Sequence, residues 1–278
     1  MYKSLTYGNV IKELRTNRFL SQGELAEDIC SQGMLSRIEN NDVVPNVLVM
    51  QKICEKLNVS IHYVLTREEA IKAPVNQWLE KLKQDMHGKR FDLIRETIAK
   101  IEQLADPVFV TKLELQEYAY YHGCAKSEAN DQLGALAILQ KGLNYTYNRQ
   151  SQTVTDLEIL LLSEIGLVYY IQGNFEKGLS FLRRSISQFY ASNKRRTVDL
   201  SKIFYNIATV FIDLKAYNEA LEYLEYGILW CQKQKSFYRL DDLYLLKALV
   251  FQDTDRFEEA IETVEIAETL EKLVADAS

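Results

Sequence analysis

The chain has 278 residues, of which 47% are apolar and 26% charged, with 11 glycines, three prolines and a formal net charge of −6. That length and balance describe a globular protein of two compact units, and so few turn formers favour helix over a turn-rich β architecture. The N-terminal MYKSLTYGNVIKELR lacks an apolar run of signal-peptide length and no uncharged stretch reaches membrane-spanning length, so a cytoplasmic chain is expected. Residues 1–66 hold seven Lys/Arg against seven Asp/Glu, leaving 26 against 32 in residues 67–278. The acidic excess therefore sits wholly in the second region, and a neutral first region has little non-specific grip on phosphate. Cys30, Cys54, Cys124 and Cys231 are far apart without C-x-x-C spacing, so reduced thiols are expected. His62, His87 and His122 form no metal pattern.

Five helices are predicted in residues 1–66. The first runs from about Gly8 to Arg18 with Val10, Ile11 and Leu14 on its inner stripe. Ser21 is a natural N-cap for the second, Glu24 completes a capping box, and Leu25, Ala26 and Ile29 recur at helical spacing. The third spans roughly Gln32 to Asn40 around Leu35 and Ile38, and Asn41-Asp42 follow where a left-handed cap is wanted. Pro45-Asn46 opens the fourth, whose face is Val47, Met50, Ile53, Cys54 and Leu57; Ser60 caps a short fifth with Ile61, Val64 and Leu65. Helices two and three are too short to stand alone and must be held crosswise by neighbours, the arrangement that lays one helix in a DNA groove.

Gly8, Ile11, Leu14-Arg15, Ser21-Gln22, Glu24-Leu25-Ala26, Ser36-Arg37-Ile38-Glu39, Pro45 and the Leu57-to-Leu65 ending together resemble the Cro/C1-type (XRE) helix-turn-helix family, with Asn41 in place of its usual glycine. The recognition helix would then present Gln32, Gly33, Met34, Ser36 and Arg37 to base edges. Gln32 can pair bidentately with adenine, Arg37 can reach guanine or phosphate, and Met34 a thymine methyl. Gln22 resembles the family's phosphate-anchoring glutamine, and Arg15 with Glu39 its scaffold pair between helices one and three.

Residues 67–80 are helical in composition but carry Pro74, where a break is predicted, and read as linker and entrance to residues 81–278. From there the sequence repeats. Phe175-Gly178-Leu179-Leu182-Ser185, Tyr217-Ala220-Leu221-Leu224-Gly227 and Phe257-Ala260-Ile261-Val264-Ala267 share one pattern, with weaker copies from Gln132 and Phe91. The starts at 91, 132, 175, 217 and 257 are 41, 43, 42 and 40 residues apart. Nine residues upstream of the last four stand Gly123, Gly166, Ala208 and Ala248, small residues that let two helices approach closely. The pattern resembles the tetratricopeptide (TPR) repeat with a stretched period, and implies an all-α chain: a five-helix reader domain followed by an α-solenoid of about ten helices in five degenerate repeats. No phosphate loop, nucleophile elbow or metal-spaced cluster is present, so neither an enzyme nor a cofactor is expected.

The combination, with HGKRF at 87–91, YNIA at 205–208 and DLYLLKALV at 242–250, is similar to the PlcR-type quorum-sensing regulators, the group containing Rgg, PrgX and NprR proteins. The resemblance implies a homodimeric transcription factor on double-stranded DNA whose solenoid binds a short signalling peptide. It implies a two-way amide grip by Asn206, a companion at Ser163 where the family has asparagine, a carboxylate contact at Lys89, and Asp242 in place of a glutamine. Leu167 completes the implied peptide set. Tyr120, Tyr121, Tyr170 and Tyr205 are expected to pack, one or two of them reaching the groove. Two alternatives remain at this stage: a solenoid that serves as an adaptor for a protein partner, or a repressor whose repeats only dimerise.

Overall fold

The computed structural model describes residues 7–104, 108–148, 154–191 and 196–276, which are helical with no strand among them. The chain divides into two units, Met1–Glu80 and Lys81–Ser278.

In the first unit lie α1 (Tyr7–Asn17), α2 (Gln22–Ala26), α3 (Gln32–Glu39), α4 (Val47–Lys56) and the start of α5 (Ile61–His87). The Ser21 capping box forms: its hydroxyl accepts from the Glu24 amide at 3.2 Å, and the Glu24 carboxylate accepts from the Ser21 amide at 2.7 Å. Ser31 and Asn46 cap α3 and α4 by accepting from the Met34 and Val49 amides, each cap worth about 1 kcal/mol. One core gathers α1 to α5 around Val10, Ile11, Leu25, Leu35, Ile38, Ile53 and Leu57, all fully buried. Asn41 adopts φ 64°, the left-handed turn expected after α3, and its side chain accepts from the Gly8 amide at 3.1 Å. Gly8 has no alternative there, since a Cβ would collide with the Ile38 carbonyl.

Three local expectations are corrected. The second helix ends at Ala26, so Ile29 packs against the core from the following turn and not from the helix. Val47 is 73% exposed, because α4 begins at that residue and meets the core from Val49 and Met50 onward. The fifth helix is not short and does not break at Pro74; α5 continues from Ile61 to His87. Proline removes one hydrogen bond and crowds one carbonyl, a local cost of ~3 kcal/mol that intact turns on either side can absorb.

The second unit holds the end of α5, then α6 (Phe91–Glu102), α7 (Lys112–Glu128), α8 (Gln132–Asn144), α9 (Asp156–Ile171), α10 (Phe175–Tyr190), a 3-10 turn (Val198–Leu200), α11 (Ser201–Asp213), α12 (Tyr217–Gln234), α13 (Leu240–Asp253) and α14 (Phe257–Asp276). The five repeat starts are the first residues of α6, α8, α10, α12 and α14. Two residues before each start the chain turns left-handed, at Lys89, Asn130, Gly173, Lys215 and Asp255, so one turn geometry serves four different residue types. α7 pairs with α8, α9 with α10, α11 with α12 and α13 with α14, while α7, α9, α11 and α13 also touch in succession. That is a TPR-like stack with its first helices on a shared inner face.

The small anchors set the packing distance. A Cβ on Gly166 would lie 2.9 Å from both the Gly178 carbonyl and the Leu182 amide, and one on Gly178 would lie 2.9 Å from the Tyr170 amide. These neighbours are backbone and cannot step aside, so α9 and α10 would have to separate. Gly166→Ala is therefore expected to destabilise the second unit by ~1–3 kcal/mol despite the better helix propensity of alanine. Urea unfolding measures it, and an unchanged midpoint would show the crossing is not tight.

Candidate DNA-reading face and candidate ligand groove

In the first unit α3 turns Leu35, Ile38 and Glu39 into the core and leaves Gln32, Gly33 and Arg37 exposed, with Ser36 half-buried. Nothing lies within 4 Å of a Cβ built on Gly33, so this end of the helix is open to close approach. Met34 is divided, since part of its side chain packs on the core. Beneath the face, Arg15 Nε and Nη2 donate to the two Glu39 oxygens at 2.6 and 3.1 Å, a bidentate pair tying α1 to α3. Gln22 donates to Glu39 Oε2 at 2.8 Å, which fixes its amide at the edge of the face.

In the second unit two adjoining cavities open on the inner face. The larger, about 330 Å³, is lined by Lys89, Leu167, Asn206 and Asp242 among others, and the smaller, about 210 Å³, by Tyr120, Tyr121, Leu160 and Tyr238 among others. Lys89, Leu167, Asn206 and Asp242 thus meet in one place, while Ser163 lies behind the wall, its hydroxyl accepting from Asn206 Nδ2 at 3.1 Å. The same amide donates to Glu164 Oε1 at 2.7 Å, so the Asn206 donor is already engaged. Lys89 is engaged too, donating to Asp241 at 2.8 Å and Asp242 at 2.6 Å. Tyr120 and Tyr121 reach the groove while packing; Tyr170 packs with its hydroxyl donating to Asp213 at 2.7 Å, and Tyr205 lines the larger cavity.

Sequence reasoning missed the charges at the centre of this wall. Lys202 Nζ lies 2.9 Å from Glu164 Oε1, 3.5 Å from Cys124 Sγ and 5.5 Å above the Tyr120 ring, with both charged side chains buried. Burial alone would push the Glu164 carboxyl up, but the Lys202 charge and the bonds from Asn206 and Lys202 outweigh it and hold the group below the ordinary carboxylate value. Burial opposes the Lys202 charge as well, and its acidic neighbours Cys124 and Glu164 more than compensate, raising its pKa. Burial pushes the Cys124 thiol up to about 12, so it stays protonated and unreactive. Arg239 spans the wall between the cavities, its guanidinium 5.2 Å from the Tyr205 ring, 5.6 Å from that of Tyr238 and 3.0 Å from Asp242.

A sequence signal for this wall did exist. Counting back from Gly123, Gly166, Ala208 and Ala248, offsets of two, six and nine residues fall on one helical face. They select Tyr121 and Glu117; Glu164, Leu160 and Leu157; Asn206, Lys202 and Asp199; and Asp242 and Arg239, all lining one cavity or the other. Only Glu114 and Leu246, at the same offsets, do not. Among the described residues no group of three His, Cys, Asp or Glu could hold a metal ion, and no helix is long and apolar enough to cross a membrane.

Comparison with known proteins matches this geometry at both ends of the chain. The helix-turn-helix family matches residues 11–64. The transcriptional activator NprA of Geobacillus stearothermophilus is 20% identical over 256 residues, covering 91% of this chain; the chain spans 59% of that relative's length. Among solved structures, Bacillus thuringiensis PlcR in complex with the peptide PapR7 and DNA superposes with a TM-score of 0.63 at 20% identity, covering 98% of this chain and 97% of that one. The competence regulator ComR of Streptococcus vestibularis, with its signalling peptide XIP, gives 0.55 at 16% identity, covering 97% and 93%. The chain thus carries an XRE-type helix-turn-helix domain at its N-terminal end, is homologous to the activator NprA, and shares the all-helical, TPR-like fold of PlcR and ComR.

Proposed function

We propose that this protein is a transcriptional regulator, and not an enzyme, that binds double-stranded DNA as a cytoplasmic homodimer and takes a short signalling peptide in the groove of its second unit. The observation that carries the reading is the pairing, in one chain, of an open recognition helix with a groove whose wall is built from buried, mutually bonded polar side chains. Polar groups so expensive to bury serve recognition better than stability. The PlcR and ComR structures hold a peptide in complexes of this same fold, which supports the same use here.

In this reading Gln32 and Arg37 contact base edges, Gly33 lets the helix approach, Ser36 and Met34 border the contact, and Gln22 anchors a phosphate. In the groove Asn206 offers its carbonyl oxygen to a peptide amide, Ser163 and Glu164 hold that side chain in place, and Leu167 gives apolar contact.

Calorimetric titration with peptides encoded beside the gene, together with gel shifts on the upstream DNA, tests both halves. Arg37→Ala is expected to weaken specific operator binding by ~1–3 kcal/mol with an unchanged helical signal. Undiminished affinity would remove Arg37 from the reading surface, and silence from every neighbouring peptide would remove the sensor half.

A further inference from the structure

Several contacts in the second unit join residues more than a hundred positions apart. Lys89, in the turn before α6, reaches Asp241 and Asp242 at the start of α13. His87 Nε2, at the end of α5, lies 2.6 Å from Asp199 Oδ1 in the 3-10 turn that leads into α11. The His87 ring sits 4.4 Å from that of Tyr238, and Lys83 Nζ approaches Asp199 at 4.0 Å. The first repeat therefore meets the fourth and fifth directly, across the inner face. Among the described residues α6 packs on α7, and α13 on α11, α12 and α14.

The two sides of the junction differ in firmness. Asp242 is held from behind by Arg239, whose side chain is 8% exposed, and both aspartates stand in the first turn of α13, where the helix dipole favours negative charge. Lys89 and His87 are 41% and 37% exposed. Ion pairs as open as those of Lys89 are individually weak and screened by salt, so a junction that leans on them and on a half-exposed His87 contact is one that can part. Its position gives the parting a consequence. Lys89 and Asp242 line the larger cavity, and His87, Asp199 and Tyr238 line the smaller one, so the contacts stand where a groove ligand must pass.

We propose that Lys89 with Asp241 and Asp242, and His87 with Asp199 and Tyr238, form a clasp that ties the first repeat to the fourth and fifth and keeps the groove closed until an entering ligand opens it. The inference rests on the groove being the ligand site. It also changes the role of Lys89: in the ligand-free protein this lysine closes the solenoid instead of waiting, unpaired, for a carboxylate.

Spin-label distances in the full chain test the clasp without any ligand. Cysteines are introduced at exposed sites on α6 (Glu96→Cys) and α14 (Glu258→Cys), with Cys30→Ser because the other native thiols are buried. The parent protein is expected to give a narrow distribution. Lys89→Met, and the parent in 1 M NaCl, should give a longer mean and a broader spread, as should Asp241→Asn with Asp242→Asn. Lys126→Met, which removes the similarly exposed Lys126–Asp131 pair between neighbouring helices, should leave the distribution unchanged. A Lys89→Met distribution coincident with the parent overturns the clasp, whatever the peptide titration shows. An opened distribution with no peptide bound by the parent leaves the clasp standing and removes the sensor reading instead.

Discussion

Lys202→Met is expected to cost the second unit about 3–5 kcal/mol, because it strands the Glu164 carboxylate inside the groove wall with only the Asn206 amide bonded to it. Methionine keeps the length and most of the volume of lysine, so the loss reports charge and not a cavity. The pH dependence should change as well. In the parent, Glu164 titrates below its unfolded value, so its contribution is present above about pH 4.5 and is lost as the pH falls through the folded value. The raised Lys202 contributes below its unfolded value and loses that contribution only as the pH climbs past it, far into the alkaline range. Without Lys202, burial dominates Glu164 and reverses its shift, so mild acid should relieve the variant while it weakens the parent. Glu164→Leu combined with Lys202→Met should recover most of the loss, since apolar pairs of similar volume often replace buried ion pairs at no net cost. Urea unfolding followed by far-UV circular dichroism and, in a Trp78→Phe background, by Trp230 fluorescence measures all three proteins. A double variant no more stable than Lys202→Met would show that the damage lies in packing. If stability returns while peptide affinity does not, the pair exists to position Asn206.

The same wall shows where sequence reasoning succeeded and where it stopped. Helix starts were legible because each is set locally: the Ser21 capping box needs residues three apart, and the repeat mark at Phe175 or Tyr217 sits on the helix it begins. The close crossing at Gly166 was legible for the same reason, since a missing Cβ on one helix implies a near neighbour. Lys202, Glu164 and Arg239 were not, because each taken alone is an ordinary charged residue on a helix or at its end. Only when three repeats are stacked do offsets of two, six and nine converge, and convergence is a property of the stack. The pairing of Lys89 was hidden for a different reason. Its turn was in the pattern, but its partners stand 152 and 153 residues away, at a distance set by accumulated rotation over four repeats. Pro74 misled in the opposite direction: a local rule predicted a break, and continuous helical turns on both sides overrode it.

Arg15→Met is expected to unfold the first unit for the reason that makes Lys202 critical in the second. Glu39 is 1% exposed and takes two bonds from the Arg15 guanidinium and a third from Gln22; Arg15 also donates to the Leu20 carbonyl at 2.6 Å, closing the turn between α1 and α2. Removing the guanidinium leaves a buried carboxylate with one amide partner and an open turn, a loss of about 3–5 kcal/mol. Domains in general have only ~5–15 kcal/mol in reserve, and a unit of this size belongs at the lower end. Part of the helical signal should therefore melt early, while the transition followed by Trp230 fluorescence in a Trp78→Phe background stays where it was. Operator binding should vanish along with the helix signal, in contrast to Arg37→Ala, which should lose binding and keep the signal. The double variant Arg15→Met with Glu39→Met separates scaffold from contact. It removes the stranded charge and should restore the fold, yet it also removes the carboxylate that aims Gln22 at the edge of the reading face. If Gln22 anchors a phosphate, the refolded double variant will bind operator more weakly than the parent, with a shallower dependence on salt. Full affinity and an unchanged salt slope would show that Gln22 belongs to the scaffold alone.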